Sequence, residues 1–449
     1  MEDTIAAIST ALGVGAISII RVSGSEAITI VNKIFNGKDL TTVSTHTIHY
    51  GHIVENDNVI DEVLVSVMKG PKSFTTEDIV EINCHGGIAT TKKILEILLL
   101  NGCRLAEPGE FTKRAFLNGR IDLLEAEGVM DVLSAKTEKS RSLAINQLSG
   151  KTSKLIEDLR QEIVEVLANI EVNIDYPEYE DIEQIGYSKL QVKIRKIYDE
   201  ICTILKDSEN GKIIKEGINV SIIGRPNVGK SSILNRLLEE DKAIVTDIEG
   251  TTRDVVEGTI NLEGLIINFI DTAGIRKTAD IVESIGVQKS LDLIDKSDLV
   301  LYVLNNNEEL SQADKEIIDK LETKNHIIVI NKMDLENKLK LSNEKNIVYI
   351  SALEDKNIDK LKDKIKSIYN VDDIETDDLT YLTNARSIAL LKESKSAIED
   401  SIKGIESLVP IDMIEIDIKK AWNLLGEIIG KTYQEELINQ LFSQFCLGK

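Results

Sequence analysis

Residues 224–231 read Gly224-Arg225-Pro226-Asn227-Val228-Gly229-Lys230-Ser231, a match to GxxxxGK[ST]. A mostly apolar run, Asn219–Ile223, precedes the stretch, and a helical pattern over Ser232–Leu238 follows it. Strand, glycine turn and helix in that order are the setting in which such a loop holds phosphate. Glycines let backbone N–H groups turn inward, and the helix N-terminus adds positive potential. Lys230 is expected to neutralise β- and γ-phosphate charge, and Ser231 to give Mg²⁺ an oxygen. Asn227, Val228, Gly229, Lys230, Ser231 and Ser232 are the residues expected at the phosphates. Alone, the pattern also occurs as an ordinary glycine turn.

Four further elements in order decide between the two. Gly250-Thr251-Thr252-Arg253-Asp254 lies downstream in the position of a switch loop, with Thr246, Asp247, Ile248 and Glu249 leading into it. Thr252 is its candidate Mg²⁺ ligand. Asp271-Thr272-Ala273-Gly274 closes the strand expected at Leu265–Asp271. Asp271 can hold Mg²⁺ through water, and the Gly274 amide can meet the γ-phosphate and so sense hydrolysis. Asn331-Lys332-Met333-Asp334 follows another apolar run and resembles the guanine-reading motif of GTPases. The Asp334 carboxylate can accept from the N1–H and N2–H₂ of guanine, a donor pair that adenine lacks. Ser351-Ala352-Leu353 ends the next run and resembles the loop that contacts the guanine carbonyl. The five elements together imply GTP.

The residue after the Asp271–Gly274 loop is Ile275. Ras-like proteins place there a glutamine that orients the attacking water. Another group must act in its stead. Asn227 could help hold a monovalent cation where other GTPases place an arginine finger. Glu283 could orient water through a bridge, although spacing alone favours a solvated glutamate on a helix face.

Around this core, short apolar runs at Asn219–Ile223, Leu265–Asp271, Leu299–Leu304, His326–Ile330 and Ile347–Ile350 alternate with helices. That is the signature of a doubly wound α/β domain, assigned to 215–376. Upstream, Leu155, Leu159, Ile163, Leu167, Ile170 and Ile174 form one apolar helical stripe, stopped at Tyr176-Pro177. The acidic run Glu178–Glu183 reads as a solvated loop, a second helix covers Tyr187–Lys206, and Asp207–Gly217 reads as a polar linker. Val371–Asp378 reads as an acidic linker, and helical periodicity returns from Asn384 onward through Ile388, Leu391, Ile398, Ile402 and Ile418–Ile429, with Trp422 expected in the core. The helical parts 119–214 and 377–449 are therefore read as one domain into which the α/β domain is inserted. Residues 1–118 show strand runs at Ala16–Val22, Thr47–Val54, Asp61–Met68 and Asp78–Cys84, and a helix at Thr90–Asn101. The fold class is multidomain α+β.

The chain has 449 residues and a formal net charge of -23, which argues against a broad non-specific grip on nucleic acid. Cys84, Cys103, Cys202 and Cys446 form no CxxC pair, so neither a zinc site nor a disulfide framework is suggested. The N-terminus lacks a basic region and a cleavage site, and no run of about 18 apolar residues exists, so a cytoplasmic protein without a membrane span is expected. Taken alone, Cys446 reads as a buried or frayed terminal thiol, and His85 as a turn-packing histidine.

Several segments resemble the MnmE (TrmE) family of tRNA-modification GTPases. They are Asp3–Ala7, Cys84-His85-Gly86-Gly87, the run EPGEFTKRAFLNGR from Glu107 to Arg120, Asp175-Tyr176-Pro177, and the terminal Phe445-Cys446-Leu447-Gly448-Lys449. GRPNVGKSS, TDIEGTTRD and DTAGIRKTADIVESIG lie between them. The resemblance implies an N-terminal folate-binding and dimerisation domain, a homodimer, and a heterotetramer with MnmG, an FAD and NADH protein. It implies modification of carbon 5 of the wobble uridine of certain tRNAs, adding aminomethyl or carboxymethylaminomethyl groups. The one-carbon donor would be 5-formyltetrahydrofolate or methylenetetrahydrofolate. Carried over by motif, Asn227, Thr246, Ile248 and Thr251 would surround K⁺, Ser231 and Thr252 would bind Mg²⁺, and Glu283 would orient the catalytic water. Arg21, Glu81, Arg120 and Lys449 would line the folate pocket, and Cys446 would serve tRNA modification. The family often has lysine at Arg120 and isoleucine at Leu447. The other reading of the phosphate loop is an Era-like ribosome-assembly switch, which would call for a basic RNA-binding appendage such as a KH domain.

Overall fold

A computed structural model of the chain describes residues 3–175, 187–240, 256–270, 292–339, 341, 346–369, 380–433 and 435–448. The chain divides into two compact units, one of residues 1–130, 147–198 and 390–449, the other of residues 131–146 and 199–389.

The first unit opens with a seven-stranded sheet. Its strands are β1 (Ile5–Ile8), β2 (Ile17–Ser23), β3 (Phe35–Asn36), β4 (Thr47–Glu55), β5 (Asn58–Met68), β6 (Ile79–His85) and β7 (Arg104–Leu105), in the order β3-β4-β5-β6-β2-β1-β7. β1 and β7 run parallel, whereas β1–β2, β2–β6, β3–β4, β4–β5 and β5–β6 are antiparallel. The β4–β5 turn is Asn56-Asp57, both with positive φ (49° and 65°), as a two-residue hairpin on twisted strands requires. Side chains alternate across the sheet. Val63, Val65 and Val67 are buried in a core with Ile94 and Leu98 of α2 (Ile88–Leu100) and with α1 (Ala27–Ile34). On the β4–β5 ribbon, Ile48, Tyr50 and Leu64 are exposed. The strands β1, β3 and β7 carry no sequence pattern of their own. β1 and β7 form because the backbone of Ile5 and Ala6 lies in register with Arg104 and Leu105.

Helices α3 (Glu110–Leu117), α4 (Leu123–Ser134), α5 (Glu138–Leu148), α6 (Lys151–Asp175) and α7 (Tyr187–Glu216) follow. α6 buries Ile156, Leu159, Ile163, Val166 and Ile170, so the stripe includes Ile156 rather than Leu155. It is described to Asp175; Tyr176-Pro177 and the acidic run lie outside the described residues. The stretch expected as a linker, Asp207–Gly217, is helical to Glu216. Its polar residues hide a buried line of Ile204, Ser208, Gly211 and Ile214, at the spacing of one helix face. Gly217, at φ +77°, stops the helix and its N–H reaches Ile213 O at 3.0 Å.

The second unit is built on a six-stranded sheet of β8 (Ile218–Ile223), β9 (Val256–Leu262), β10 (Leu265–Ile270), β11 (Leu299–Asn305), β12 (His326–Asn331) and β13 (Ile347–Tyr349). The order is β13-β12-β11-β8-β10-β9, parallel except for the β9–β10 hairpin. The sequence did not announce β9. β11 is buried along its whole length, as a central parallel strand covered on both faces must be. Helices α8 (Lys230–Glu240), α9 (Gln312–Leu321) and α10 (Ile358–Ile368) belong to this layer. The chain order reverses at β8, whose neighbours are β10 and β11. The crevice beyond the strand ends at such a point is where doubly wound sheets bind ligands.

The chain ends in α11 (Ala385–Glu406), α12 (Ile411–Ile428) and α13 (Glu435–Phe442). α11 buries Leu391, Ser394, Ala397, Ile398, Ser401 and Ile405, while Ile388 and Ile402 are only half-buried. α12 packs along α6, and Lys419 pairs with Glu171 at 3.1 Å. Trp422 is half-buried rather than central. Arg160 of α6 lies 4.4 Å from its ring centroid, a cation–π contact that keeps the indole at the helix boundary.

Candidate functional site

The phosphate loop leaves β8 and enters α8 at Lys230, the junction the sequence implied. Gly224 (φ +149°) and Gly229 (φ +100°) both occupy the left-handed half of backbone space. A Cβ at Gly224 would strike Val303 O, and one at Gly229 would strike the Asn331 amide. Lys230 turns back over the loop, and its Nζ donates to Gly224 O and Arg225 O, each at 2.7 Å. Burial pushes the ammonium below the ordinary lysine range. A desolvated cation whose partners among the described residues are neutral carbonyls gains strongly from an anion, so the cradle fits a phosphate chain.

The motifs expected at guanine also fix the phosphate loop, which the sequence did not show. Asn331 Nδ2 donates to Val228 O at 2.9 Å, and its Oδ1 accepts from Ala352 N at 3.1 Å. Lys332 Nζ donates to Asn227 O at 2.9 Å. The carbonyls of Gly224, Arg225, Asn227 and Val228 are thus all occupied by side chains that fix the loop. Asp334 is exposed, and its carboxyl is held below the usual carboxylate range by Ser351. It therefore stays an acceptor at neutral pH, the state that reads two donors on one base edge. Ser351 and Ala352 are buried, and Leu353 is exposed beside them. Ser232 lies on the exposed side of the first turn of α8.

Thr246, Asp247, Ile248, Glu249, Gly250, Thr251, Thr252, Asp271, Thr272, Ala273, Gly274, Ile275 and Glu283 lie outside the described residues. Of the expected metal ligands, the structure describes Asn227 and Ser231. Both sit on the phosphate loop or at its helix junction, where oxygen donors beside phosphate suit hard cations.

A second cluster forms in the first unit. Arg21 and Glu81 face each other on β2 and β6, and an Arg21 Nη2–Glu81 Oε1 ion pair of 2.9 Å joins them. The Arg21 guanidinium lies 5.6 Å from the Phe111 ring centroid and 6.0 Å from that of Phe74. Arg120 lies 4.8 Å from the Phe74 ring and donates to Phe74 O at 3.1 Å. Gly448 O accepts from Arg21 Nη1 at 3.3 Å and from Ser9 Oγ at 3.1 Å. Arg21, Glu81 and Arg120 are thus brought together with the end of the chain; Lys449 itself lies outside the described residues. Phe74, Phe111 and Gly448 were not singled out from sequence, and only the EPGEF run pointed toward Phe111.

Behind this cluster Arg114, 1% exposed, bonds Glu77, Glu110 and Asp3 at 3.1, 3.0 and 2.7 Å. Glu77 also accepts from Ser23 Oγ at 2.7 Å. The EPGEFTKRAF run is in this sense a buried ionic clamp on the segment that carries Phe74.

Cys446 is exposed, not buried, and the terminus around it is docked rather than frayed. Gly109 N–H donates to Cys446 O at 3.2 Å, and the Phe445 ring centroid lies 5.0 Å from that of Phe442. His85 is not packed in a turn. Its side chain is 70% exposed, and Nδ1 lies 2.7 Å from Asp61 Oδ1, which raises its pKa. Among the described residues no group of three or more His, Cys, Asp or Glu side chains could hold a metal ion, and no helix is long and apolar enough to cross a membrane.

Residues 4–120 match the family described as GTP-binding protein TrmE N-terminus, and residues 123–446 match the MnmE helical domain. A tRNA modification GTPase MnmE of Bacillus cytotoxicus is 55% identical over 455 residues, spanning 100% of this chain and 99% of its own. The Bacillus subtilis protein of the same description is 54% identical over 458 residues and covers both chains fully, at 100% each. Among solved structures, the G domain of the T. maritima FeoB iron transporter aligns with 34% of this chain and 98% of its own, at 23% identity and a TM-score of 0.24.

Proposed function

The chain belongs to the MnmE family of tRNA modification GTPases, a GTP hydrolase acting in tRNA modification, and from that premise we propose how its parts divide the work. Residues 1–118 bind folate and form a homodimer, residues 215–376 bind and hydrolyse GTP, and residues 119–214 with 377–449 form the helical domain. With MnmG, in the cytoplasm, the dimer adds aminomethyl or carboxymethylaminomethyl groups to carbon 5 of the wobble uridine of certain tRNAs. The carbon comes from 5-formyltetrahydrofolate or methylenetetrahydrofolate.

One observation carries the reading. The two arginines of the first unit share Phe74, and the chain terminus is hydrogen-bonded to one of them. Paired cations on an aromatic plate suit a planar, anionic ligand, which a folate is. Cys446 then stands exposed two residues from Gly448, beside such a ligand. The apolar side chains Ile48, Tyr50 and Leu64 left exposed on the β4–β5 ribbon support a dimer through the N-terminal sheet.

In the nucleotide site, Asn227 to Ser232 grip the phosphates, with Asp247, Glu249 and Gly250 of the first switch and Asp271, Thr272, Ala273 and Gly274 of the second around them. Asn331, Lys332, Asp334, Ser351, Ala352 and Leu353 enclose guanine. Glu283 orients the attacking water. Ser231 and Thr252 would hold Mg²⁺, and Asn227, Thr246, Ile248 and Thr251 would hold K⁺; both would supply positive charge against the charge that grows in the transition state. No observation favours the Era-like reading, because the described residues after 380 are helical with no strand for a KH domain.

Reconstitution tests the proposal. The purified chain, MnmG with FAD and NADH, tRNA, GTP, Mg²⁺, K⁺, methylenetetrahydrofolate and an ammonium salt as nitrogen donor should yield a carbon-5-substituted wobble uridine. Product formed equally well without folate, or by Glu283→Ala, would overturn it.

A further inference from the structure

We propose that Arg225 is a positioning residue for nucleotide binding. Clamped by Asp314 and Glu308, it fixes the phosphate-loop backbone so that the Gly224 and Arg225 carbonyls hold the Lys230 ammonium where phosphate will meet it.

Arg225 is the second residue of the loop, at a position the motif leaves open to any side chain. Its Nη2 lies 3.1 Å from Glu308 Oε2 and donates to Glu309 O at 3.4 Å. Its Nε lies 3.2 Å from Asp314 Oδ2 without the alignment of a hydrogen bond, so that contact is an ion pair. Asp314 is a firm anchor, only 1% exposed. Its Oδ1 accepts from Tyr302 Oη of β11 at 2.7 Å. Its Oδ2 accepts from Ser311 N and Ser311 Oγ, each at 2.8 Å, in the capping box that opens α9. The arginine is thus tied to the central strand and to a helix start at once.

The residue whose guanidinium is held also supplies a carbonyl to Lys230, at 2.7 Å. Pro226 follows it and fixes the next φ. A loop free to move would have to be ordered when nucleotide binds, and that entropy would be subtracted from affinity. A clamped loop has lost it beforehand. Such an effect weighs on ground state and transition state alike, so it belongs in Kd and KM rather than in kcat.

The full-length variants Arg225→Gln, Arg225→Lys, Asp314→Asn and the double variant R225Q/D314N test this with a fluorescent GDP analogue and steady-state GTP hydrolysis. R225Q should weaken GDP binding about tenfold and raise KM in parallel, with kcat changed less than about twofold. R225K should recover part of the loss, since an ammonium keeps the charge but lacks the planar fork of the guanidinium. D314N should match R225Q, and the double variant should be no worse than either. Unchanged GDP affinity in R225Q, additive losses in the double variant, or a fall in kcat at constant KM would each overturn the proposal. If D314N fails to fold by circular dichroism, the arginine pair decides, and R225K no better than R225Q counts against it. A wild-type chain that binds no GDP would overturn the site itself, and this proposal with it.

Discussion

Asn331 donates its side-chain amide to the Val228 carbonyl at 2.9 Å, so the motif proposed to face the base also holds the loop proposed to face the phosphates. Its other side-chain atom takes the Ala352 N–H. One residue therefore joins three of the nucleotide-binding segments. Asn331→Ala should leave a buried carbonyl and a buried amide unpaired, at about 1–3 kcal/mol each. We expect a lower unfolding midpoint and at least about a tenfold loss of GDP affinity. Calorimetry with GDP checks both, and an N331A chain with wild-type affinity would show that the two loops are independent.

Base choice is proposed to rest on Asp334. Replacing its carboxylate by an amide exchanges one acceptor for a donor. Asp334→Asn should lose GTP and gain xanthosine triphosphate, whose ring offers the complementary acceptor. Competition between the two nucleotides for the variant measures this. Retained preference for GTP would move guanine reading elsewhere.

The buried ionic clamp makes acid stability depend on Glu110. Burial, the largest single influence, pushes its carboxyl up, but Arg104, the Glu107 N–H and Arg114 outweigh it and hold the group below the usual carboxylate range. A depressed folded-state pKa stabilises above the unfolded value and loses that contribution as pH falls through the folded one. The chain should therefore hold this increment down to about pH 4.5 and shed it below. Glu110→Gln should unfold more easily at neutral pH and show a flatter acid limb in urea titrations. An unchanged acid limb would remove Glu110 from the account.

The docked terminus depends on Gly448. It sits at φ +86°, and a Cβ there would meet the Ile8 carbonyl. Gly448→Ala should cost about 1–2 kcal/mol in backbone conformation alone, with the clash added. The terminus should leave Arg21, exposing residues 445–448 to hydrogen exchange and weakening folate binding. Protection equal to wild type would show that the terminus is held by Phe445 alone.

The legible parts of the sequence were those where one local pattern answers to one physical demand. The phosphate loop declared itself through glycines at positions that reject a Cβ, and β11 through an unbroken apolar run. What stayed hidden depends on distant partners. β1 and β7 need each other, and β9 exists through its pairing with β10. The end of α7 looked polar because serine and glycine occupy half of its buried face. Arg21, Glu81 and Arg120 could be gathered from family resemblance. The contact of both arginines with Phe74 could not, because only the folded sheet brings residues so far apart in sequence around one ring. Asp314 was silent for the same reason, being an ordinary helix cap until Arg225 is seen beside it.

The most direct test of the central claim is nucleoside mass analysis of tRNA from cells lacking this chain. Wobble uridine should lose its carbon-5 group, and the intact chain, but not Glu283→Ala, should restore it. Wobble uridine that keeps its carbon-5 group in the absence of the chain would contradict the account.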